Sequence, residues 1–251
     1  MSRRARTLVF LVGAAGLAAL LALVFLDMPV FGGSVHRYRD LAVAVAARQA
    51  TANVVASVNF DQRAIDTLGE ETILLGSVIG VAALLRPTRR EREQRPPRTG
   101  RTLETTRLAG YVLLPVTLII GFDVVAHGQV TPGGGFQGGV VLATGLHLLY
   151  LTGNYRALVR LRPVRIFDAG EALGASLFVA LGLAGLAVSG AFLRNIFPTG
   201  TFGQLLSAGT VPVFNLAVGV EVACGMVVLL SHFFEEDITV TAGARSAKDG
   251  E

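Results

Sequence analysis

Tryptophan is absent from this 251-residue chain, and cysteine occurs once, as Cys224. A single thiol excludes any disulfide within the chain, so no covalent staple holds the fold. Cys224 lies in an apolar run, where a small packing residue is its ordinary role. Without tryptophan, the ring belt of a membrane interface falls to the four tyrosines and the phenylalanines. Charge is scarce as well. Asp, Glu, Lys and Arg make up 16% of the chain, against about 25% in soluble domains, which excludes an ordinary water-facing globule. Metal and nucleophile motifs are missing. His36, His127, His147 and His232 have no cysteine partners and no HExxH spacing, so the sequence offers no metal site and no cofactor site. No Ser-His-Asp arrangement can be argued from it.

Apolar residues are what the chain has in quantity, at 52% and a mean hydropathy of +0.58. A helix that crosses a bilayer needs about 20 mostly apolar residues. Six runs qualify: Thr7–Leu26, Leu68–Leu85, Leu108–Ala126, Phe136–Thr152, Ala169–Leu193 and Val211–Phe234. In lipid, backbone polar groups must be satisfied within a helix or a closed barrel. These runs are continuous, without inside/outside alternation, so helices are expected. The expected fold is all-α, an integral membrane bundle of about six transmembrane helices. The first run follows Arg3, Arg4 and Arg6, as a signal peptide would. Its long core, and the lack of a small-x-small site before Asp27, favour an uncleaved anchor.

The net charge of +4 and a pI near 9.8 do not point to nucleic acid, because the basic residues follow membrane topology. The N-terminus, loop 86–107, loop 153–168 and the C-terminal tail hold 17 Lys/Arg, and the opposite loops hold 5. By the positive-inside rule both termini are cytoplasmic and the number of spans is even. The expected location is a cell membrane, a bacterial plasma membrane, with the lipid bilayer as the first partner. The Arg-rich stretch at 86–107 carries Pro87, Pro96 and Pro97, which break helices. It separates a two-span part (1–86) from a four-span part (105–236) through a linker (87–104), and a tail follows (237–251). Within 27–67, the stretch Leu41–Val58 has helical potential and would lie on the membrane surface or pack onto the spans. Gly76 with Gly80, Gly135 with Gly139, and Gly170 with Gly174 repeat small residues at helical spacing, which permits close helix packing in lipid.

The most specific stretch is HGQVTPGGGFQGG, from His127 to Gly139. It comprises His127, Gly128, Gln129, Val130, Thr131, Pro132, Gly133, Gly134, Gly135, Phe136, Gln137, Gly138 and Gly139, between two apolar runs. Gly133-x-Gly135-x-x-Gly138 satisfies a dinucleotide fingerprint literally. That fingerprint needs a strand before it and a βαβ unit around it, and both flanks here are spans. The glycines instead allow a turn at positive φ and tight packing at the start of the fourth span.

Ionisable groups inside apolar runs are costly and usually face a bundle interior, a partner or a water path. Glu221 is the clearest, near the middle of the sixth span, with Ala217, Val218, Cys224, Gly225 and His232 on its helix face. A structural buried acid and a proton- or cation-handling acid both fit it. Asp123 and His127 share a face near the outer end of the third span, as a relay pair or a helix-end hydrogen bond. His147 lies deeper, in the fourth span. Asp168 and Glu171 near the start of the fifth helix are explained by the helix dipole. The dipole explains one of the adjacent acids Glu70 and Glu71 comfortably, and two are less routine.

These residues match a family. HGQVTPGGGFQGGVVLATGLHLL, EALGA at 171–175 and SAGTVPVFNLAVGVEVACGM at 207–226 resemble the B subunit of the multisubunit Mrp/Mnh-type cation/proton antiporters (MnhB), over residues 105–236. NVVASVNFDQRAIDTLGEETILLGSVIGVAALL resembles the C-terminal end of the large A subunit. It keeps Asn53, Val54, Val55, Asp66, Thr67, Leu68, Gly69 and Glu70, and departs at Asn59-Phe60-Asp61-Gln62 and Ala64-Ile65. The resemblance implies a fusion of the two modules. It implies a subunit of a Na⁺/H⁺ antiporter complex, not an enzyme, with other subunits as partners, Na⁺ and H⁺ as transported ions and no redox cofactor. It makes Glu70 the leading ion-translocation acid, with Glu221, Asp123 and His147 secondary. Two alternatives stand beside it: a membrane-arm subunit of an ion-pumping hydrogenase or respiratory complex, and a purely structural or assembly subunit.

Overall fold

The structure is a computed structural model that describes residues 3–28, 32–85, 103–152 and 164–248. Most of the Arg/Pro linker (86–102), part of the 153–168 loop and the last residues of the tail lie outside the described residues. The described residues contain helices and turns but no strand.

Two compact units form, Met1–Asp40 and Leu41–Glu251. The first consists mainly of α1 (Arg3–Leu26), an apolar helix with no buried side chain. At 1.5 Å per residue it is long enough to cross a hydrocarbon core of about 30 Å. Such a helix needs lipid or another protein along its whole length.

In the second unit, α2 (Arg37–Arg48) contributes its later residues. α3 (Val54–Ser57) runs into one turn of π-helix, Val58–Gln62. Long helices follow: α4 (Ala64–Leu84), α5 (Glu104–Ala126), α6 (Gly135–Leu151), α7 (Val164–Ser189) and α8 (Val211–Lys248). Among the described residues, five helices are long and apolar enough to span a membrane, and α6 is a shorter apolar helix. The expectation of about six spans therefore meets six apolar helices among the described residues, one of them short.

Two stretches differ from the sequence reading. Leu41–Val58 is not one helix. Ala50 takes a left-handed φ of 53°, ending α2, and Asn53 starts α3 by accepting the Val55 N–H at 3.1 Å. The fifth span stops at Ser189 rather than Leu193, because Gly190 (φ 75°) adopts the left-handed cap that glycine accepts without penalty. The chain then folds back on its own helix, and the Leu193 N–H bonds the Gly182 carbonyl at 3.2 Å.

α8 is the post on which this unit is built. It packs against α4, α5, α6, α7 and the π-helical turn. Half of its membrane-length segment is buried, against 17–22% for the spanning segments of α4, α5 and α7. Phe60 of the π-helical turn, Phe178 of α7 and Phe214 of α8 form one aromatic cluster, with Phe178 and Phe214 centroids 4.6 Å apart.

Glycines set the spacing around the post. α6 is held between α5 and α8, and its two glycine faces explain the motif. A Cβ on Gly139 would lie 2.8 Å from the Val222 Cβ of α8. On the other face Gly138 meets Val125 and Gly145 meets Thr117, both of α5. Gly170 and Gly174 likewise face α8, whereas Gly76 and Gly80 face open space. Two of the three small-residue pairs thus serve packing inside this chain. Replacing Gly139 by valine should overpack the α6–α8 contact and cost about 1–3 kcal/mol. Thermal unfolding of the detergent-solubilised protein should show a lowered midpoint, while Gly76→Val, in open space, leaves it unchanged.

Candidate functional site

The glycine motif is fixed by side chains from both halves of the chain. Asn53 donates through Nδ2 to the Gly128 carbonyl at 2.7 Å and to the Thr131 carbonyl at 2.9 Å. Its backbone N–H bonds the Gln129 carbonyl at 3.0 Å. Gln129, fully buried, donates to the carbonyls of Ala126 and Leu205 at 3.1 and 2.6 Å. Asn215 of α8, also fully buried, accepts the Gly135 N–H at 2.9 Å and so caps the start of α6 from outside the helix. Gly133 and Gly134 have φ of 146° and 144°, which lets the chain turn into α6 with no side chain in the way.

A cleft of about 440 Å³ opens beside this turn. Gly133–Gln137 form one wall, and Asn59, Thr67, Glu70 and Glu71 are among the residues of the other. Thr67 is tied down by donating to the Asn59 carbonyl at 2.8 Å.

Glu70, the leading sequence candidate, is exposed and lines this cleft. Its neighbour Glu71 points inward and is 2% exposed. Ala64, Thr67, Glu71 and Val78 are the buried stripe of α4, so the helix turns one of the two acids into the bundle and leaves the other at its surface. Inside, Glu71 faces Glu221 of α8, and Glu221 in turn faces Glu171 of α7. All three are buried, and Glu221 is wholly so. The two oxygens of Glu71, the two of Glu221 and Oε1 of Glu171 meet no N–H or hydroxyl donor, and Glu71 and Glu221 hydrogen-bond to each other. Glycines make the room. A Cβ on Gly174 would lie 2.6 Å from the Glu221 Cβ, and one on Gly225 would lie 3.0 Å from the Glu171 Oε1. Glu221 and Glu171 are thus each seated against a glycine of the other's helix.

The structure brings Glu221 together with Glu171, which the sequence reading explained by the helix dipole, and with Glu71, one of an adjacent pair that the dipole explained only in part. A signal existed for both. Glu71 continues the Thr67 face of α4, and Glu171 precedes Gly174 as Glu221 precedes Gly225. Asp123 is exposed and pairs with His127, Oδ1 to Nδ1 at 3.0 Å, at the end of α5, the plain helix-end arrangement. His147 is half-buried on α6. His232 is half-buried on α8, its Nδ1 2.9 Å from the Val228 carbonyl. The fingerprint-like glycines follow a helix and a turn, not a strand. Among the described residues no group of His, Cys, Asp and Glu has the arrangement of a metal site.

A second cleft, of about 690 Å³, lies outside the spans, between the π-helical turn and the segment after α7. Asp61 and Arg194 line it together with Gln49, Gln62 and Asn195. Burial pushes the Asp61 carboxyl above its ordinary value, and the Arg194 guanidinium partly offsets this. A carboxyl raised in the folded state lends stability at low pH that is lost as pH climbs from the ordinary carboxylate value through the raised one. Asp61→Asn should therefore unfold later than the parent at neutral pH, with the gap closing as pH falls below about 4. Paired melting curves at the two pH values check this. The glycine turn gives a second expectation. Asn215→Leu leaves the Gly135 N–H buried without a partner and should cost about 1–3 kcal/mol, read as a lowered melting midpoint.

Residues 105–228 match the family described as a domain related to the MnhB subunit of Na⁺/H⁺ antiporter. An uncharacterised protein of Methanocaldococcus jannaschii is 30% identical over 196 residues, covering 69% of this chain and 74% of its own. Among solved structures, a chain of the membrane-bound sulfane sulfur reductase, an archaeal respiratory membrane complex, superposes with a TM-score of 0.70 at 26% identity. That match covers 91% of this chain and 97% of the other. A chain of the Mrp complex from Dietzia sp. DQ12-45-1b superposes with a TM-score of 0.64 at 25% identity. It covers 92% of this chain, which spans 26% of that longer one.

Proposed function

We propose, since this chain belongs to the family related to the MnhB subunit of Na⁺/H⁺ antiporters, that it is a membrane subunit of a multisubunit monovalent cation/proton antiporter and contributes to ion movement and to assembly. The carrying observation is the set of buried carboxyls between α4, α7 and α8, inside helices of membrane-spanning length. Carboxyls in a low-dielectric interior are not left as bare charges side by side. Such a place must hold protons or cations, and a group that holds one with few hydrogen bonds is poised to exchange it.

In this reading the protein is a secondary-transporter component, not a catalyst, and needs no cofactor. It sits in the cell membrane with both ends in the cytoplasm, as the arginine distribution argues. Residues 1–86 act as the A-like module and 105–236 as the MnhB-like module, joined by the linker. The alignment of 92% of this chain with one continuous chain of the Mrp complex supports that fusion. Glu221 is the central ion-handling acid and Glu70 stands at the mouth of the cleft, while Asp123, exposed near the end of α5, and His147, half-buried on α6, have supporting positions. Coverage of 97% of the sulfane sulfur reductase chain favours a second reading, a membrane-arm subunit of a respiratory complex, in which electron transfer drives the same ion movement.

The whole complex in inverted membrane vesicles discriminates the readings. An imposed Na⁺ gradient should drive proton movement without an electron donor. Proton movement that appears only on adding a reductant selects the respiratory reading. Glu221→Gln should reduce Na⁺-driven proton movement by roughly tenfold or more with the complex intact. Glu70→Gln, at a solvated position, should have a smaller effect. Full transport in both variants would leave this subunit a structural role alone.

A further inference from the structure

The three buried acids are spread along the bundle. α4 and α8 both begin at the end that carries the glycine turn, because the cleft joins Thr67 to Gly135 and Asn215 holds the Gly135 N–H. α7 begins at the opposite end. Its C-terminal continuation returns to the start of α8, where Asn195 accepts from Thr210 at 2.9 Å and donates to the Ala208 carbonyl at 3.0 Å. At 1.5 Å per residue, Glu71 lies about 10 Å below the start of α4, and Glu221 about 15 Å below the start of α8. Glu171 lies about 10 Å above the start of α7 at the far end. The order from the cleft inward is therefore Glu71, Glu221, Glu171.

Each end of this series has an outlet. Glu71 lines the cleft beside the exposed Glu70. Glu171 faces Cys224 and the exposed Asp168, nearer the opposite end. The titratable groups facing the series are thus Glu70 at one end, and Asp168 and Cys224 at the other. Glu71 and Glu221 hydrogen-bond to each other rather than to fixed backbone or amide donors. The oxygens of the fully buried Glu221 meet no N–H or hydroxyl donor and have the Glu71 carboxyl as their partner, and the fully buried Asn215 also has an unpartnered Nδ2.

We propose that Glu71, Glu221 and Glu171 form a proton relay that crosses this subunit from the glycine-turn cleft to the opposite end of the bundle. The proposal rests on the transporter reading and adds its route. In each step an O–H bond breaks on a protonated carboxyl and forms on the neighbouring carboxylate, so one charge moves back as one proton moves forward. Water at the cleft supplies the proton at Glu71, and Asp168 stands beside the point of delivery. No oxidant, reductant or metal enters.

A series relay has a signature that independent sites lack. In the whole complex reconstituted in vesicles with an internal pH dye, Glu71→Gln, Glu221→Gln and Glu171→Gln should each lower proton movement by roughly tenfold or more. The double variant Glu71→Gln/Glu171→Gln should be no worse than either single one. Multiplying losses, or full proton movement in any intact single variant, would overturn the relay. The parent complex supplies a measurement independent of variant assembly. A membrane-soluble carbodiimide should block its proton movement and attach to Glu71 or Glu221, as read by peptide mass spectrometry. Blockage with none of the three acids modified would also overturn it. If the parent complex moves neither Na⁺ nor protons under any driving force, the transporter reading itself fails. If it transports and the three variants do too, the relay fails, and with it the role of Glu221, while the reading of the complex as a transporter stands.

Discussion

The hydrogen bond from the Gly135 N–H to the Asn215 side chain at 2.9 Å is the contact on which the rest of the main unit depends. It fixes the start of α6 on the side of α8. That docking sets the depth at which Gly139 meets Val222, and hence how close α6 and α8 approach. α5 follows, because it is packed on the other glycine face of α6. The side of α8 that remains is left for α4 and α7, which bring the acids. A helix with no water-driven attraction to its neighbours is thus positioned by one buried amide and a row of glycines.

The positions of the long helices were legible in the sequence because a 20-residue apolar run leaves the backbone few alternatives. So were the roles of Gly135/Gly139 and Gly170/Gly174, since four-residue spacing puts both members of a pair on one face. Glu221 stood out as one acid in an otherwise apolar and small-residue run. Glu71 did not. It is adjacent to Glu70, and sequence alone does not say which of two neighbours a helix turns inward until a packed face is known. Ala64, Thr67 and Val78 define that face only in hindsight. Glu171 was masked by a sound but incomplete explanation, since an acid early in a helix gains from the dipole whether or not it is also buried. The breaks at Ala50 and Gly190 were hidden for a different reason. Both depend on left-handed backbone, and alanine gives no hint of that conformation.

The two parts of the chain, one on each side of the arginine-rich linker, meet at the glycine turn. Asn53 from the first part carries three of the bonds that hold it, and α8 from the second part carries the cap. The acids follow the same division, with Glu71 from the first part and Glu171 and Glu221 from the second. Neither part contains the whole set, which gives a physical reason for the two to be carried on one chain.

The lateness of α8 has a consequence for how the protein is made. Chains enter the membrane in order of synthesis, so α4 and α7 are in place before their acids have the helix they pack against. On insertion scales an aspartate at mid-helix costs about 2.5–3.5 kcal/mol, and a glutamate near the same depth faces a similar barrier. Until α8 arrives, Glu71 and Glu171 are held by the apolar remainder of their own helices or by the insertion machinery. A helix translated after α4 and α7 is then the one that closes the bundle, and a ribosome that stalls before Val211 leaves two helices with acids turned toward lipid. Such a truncated product carries its own mark for quality control.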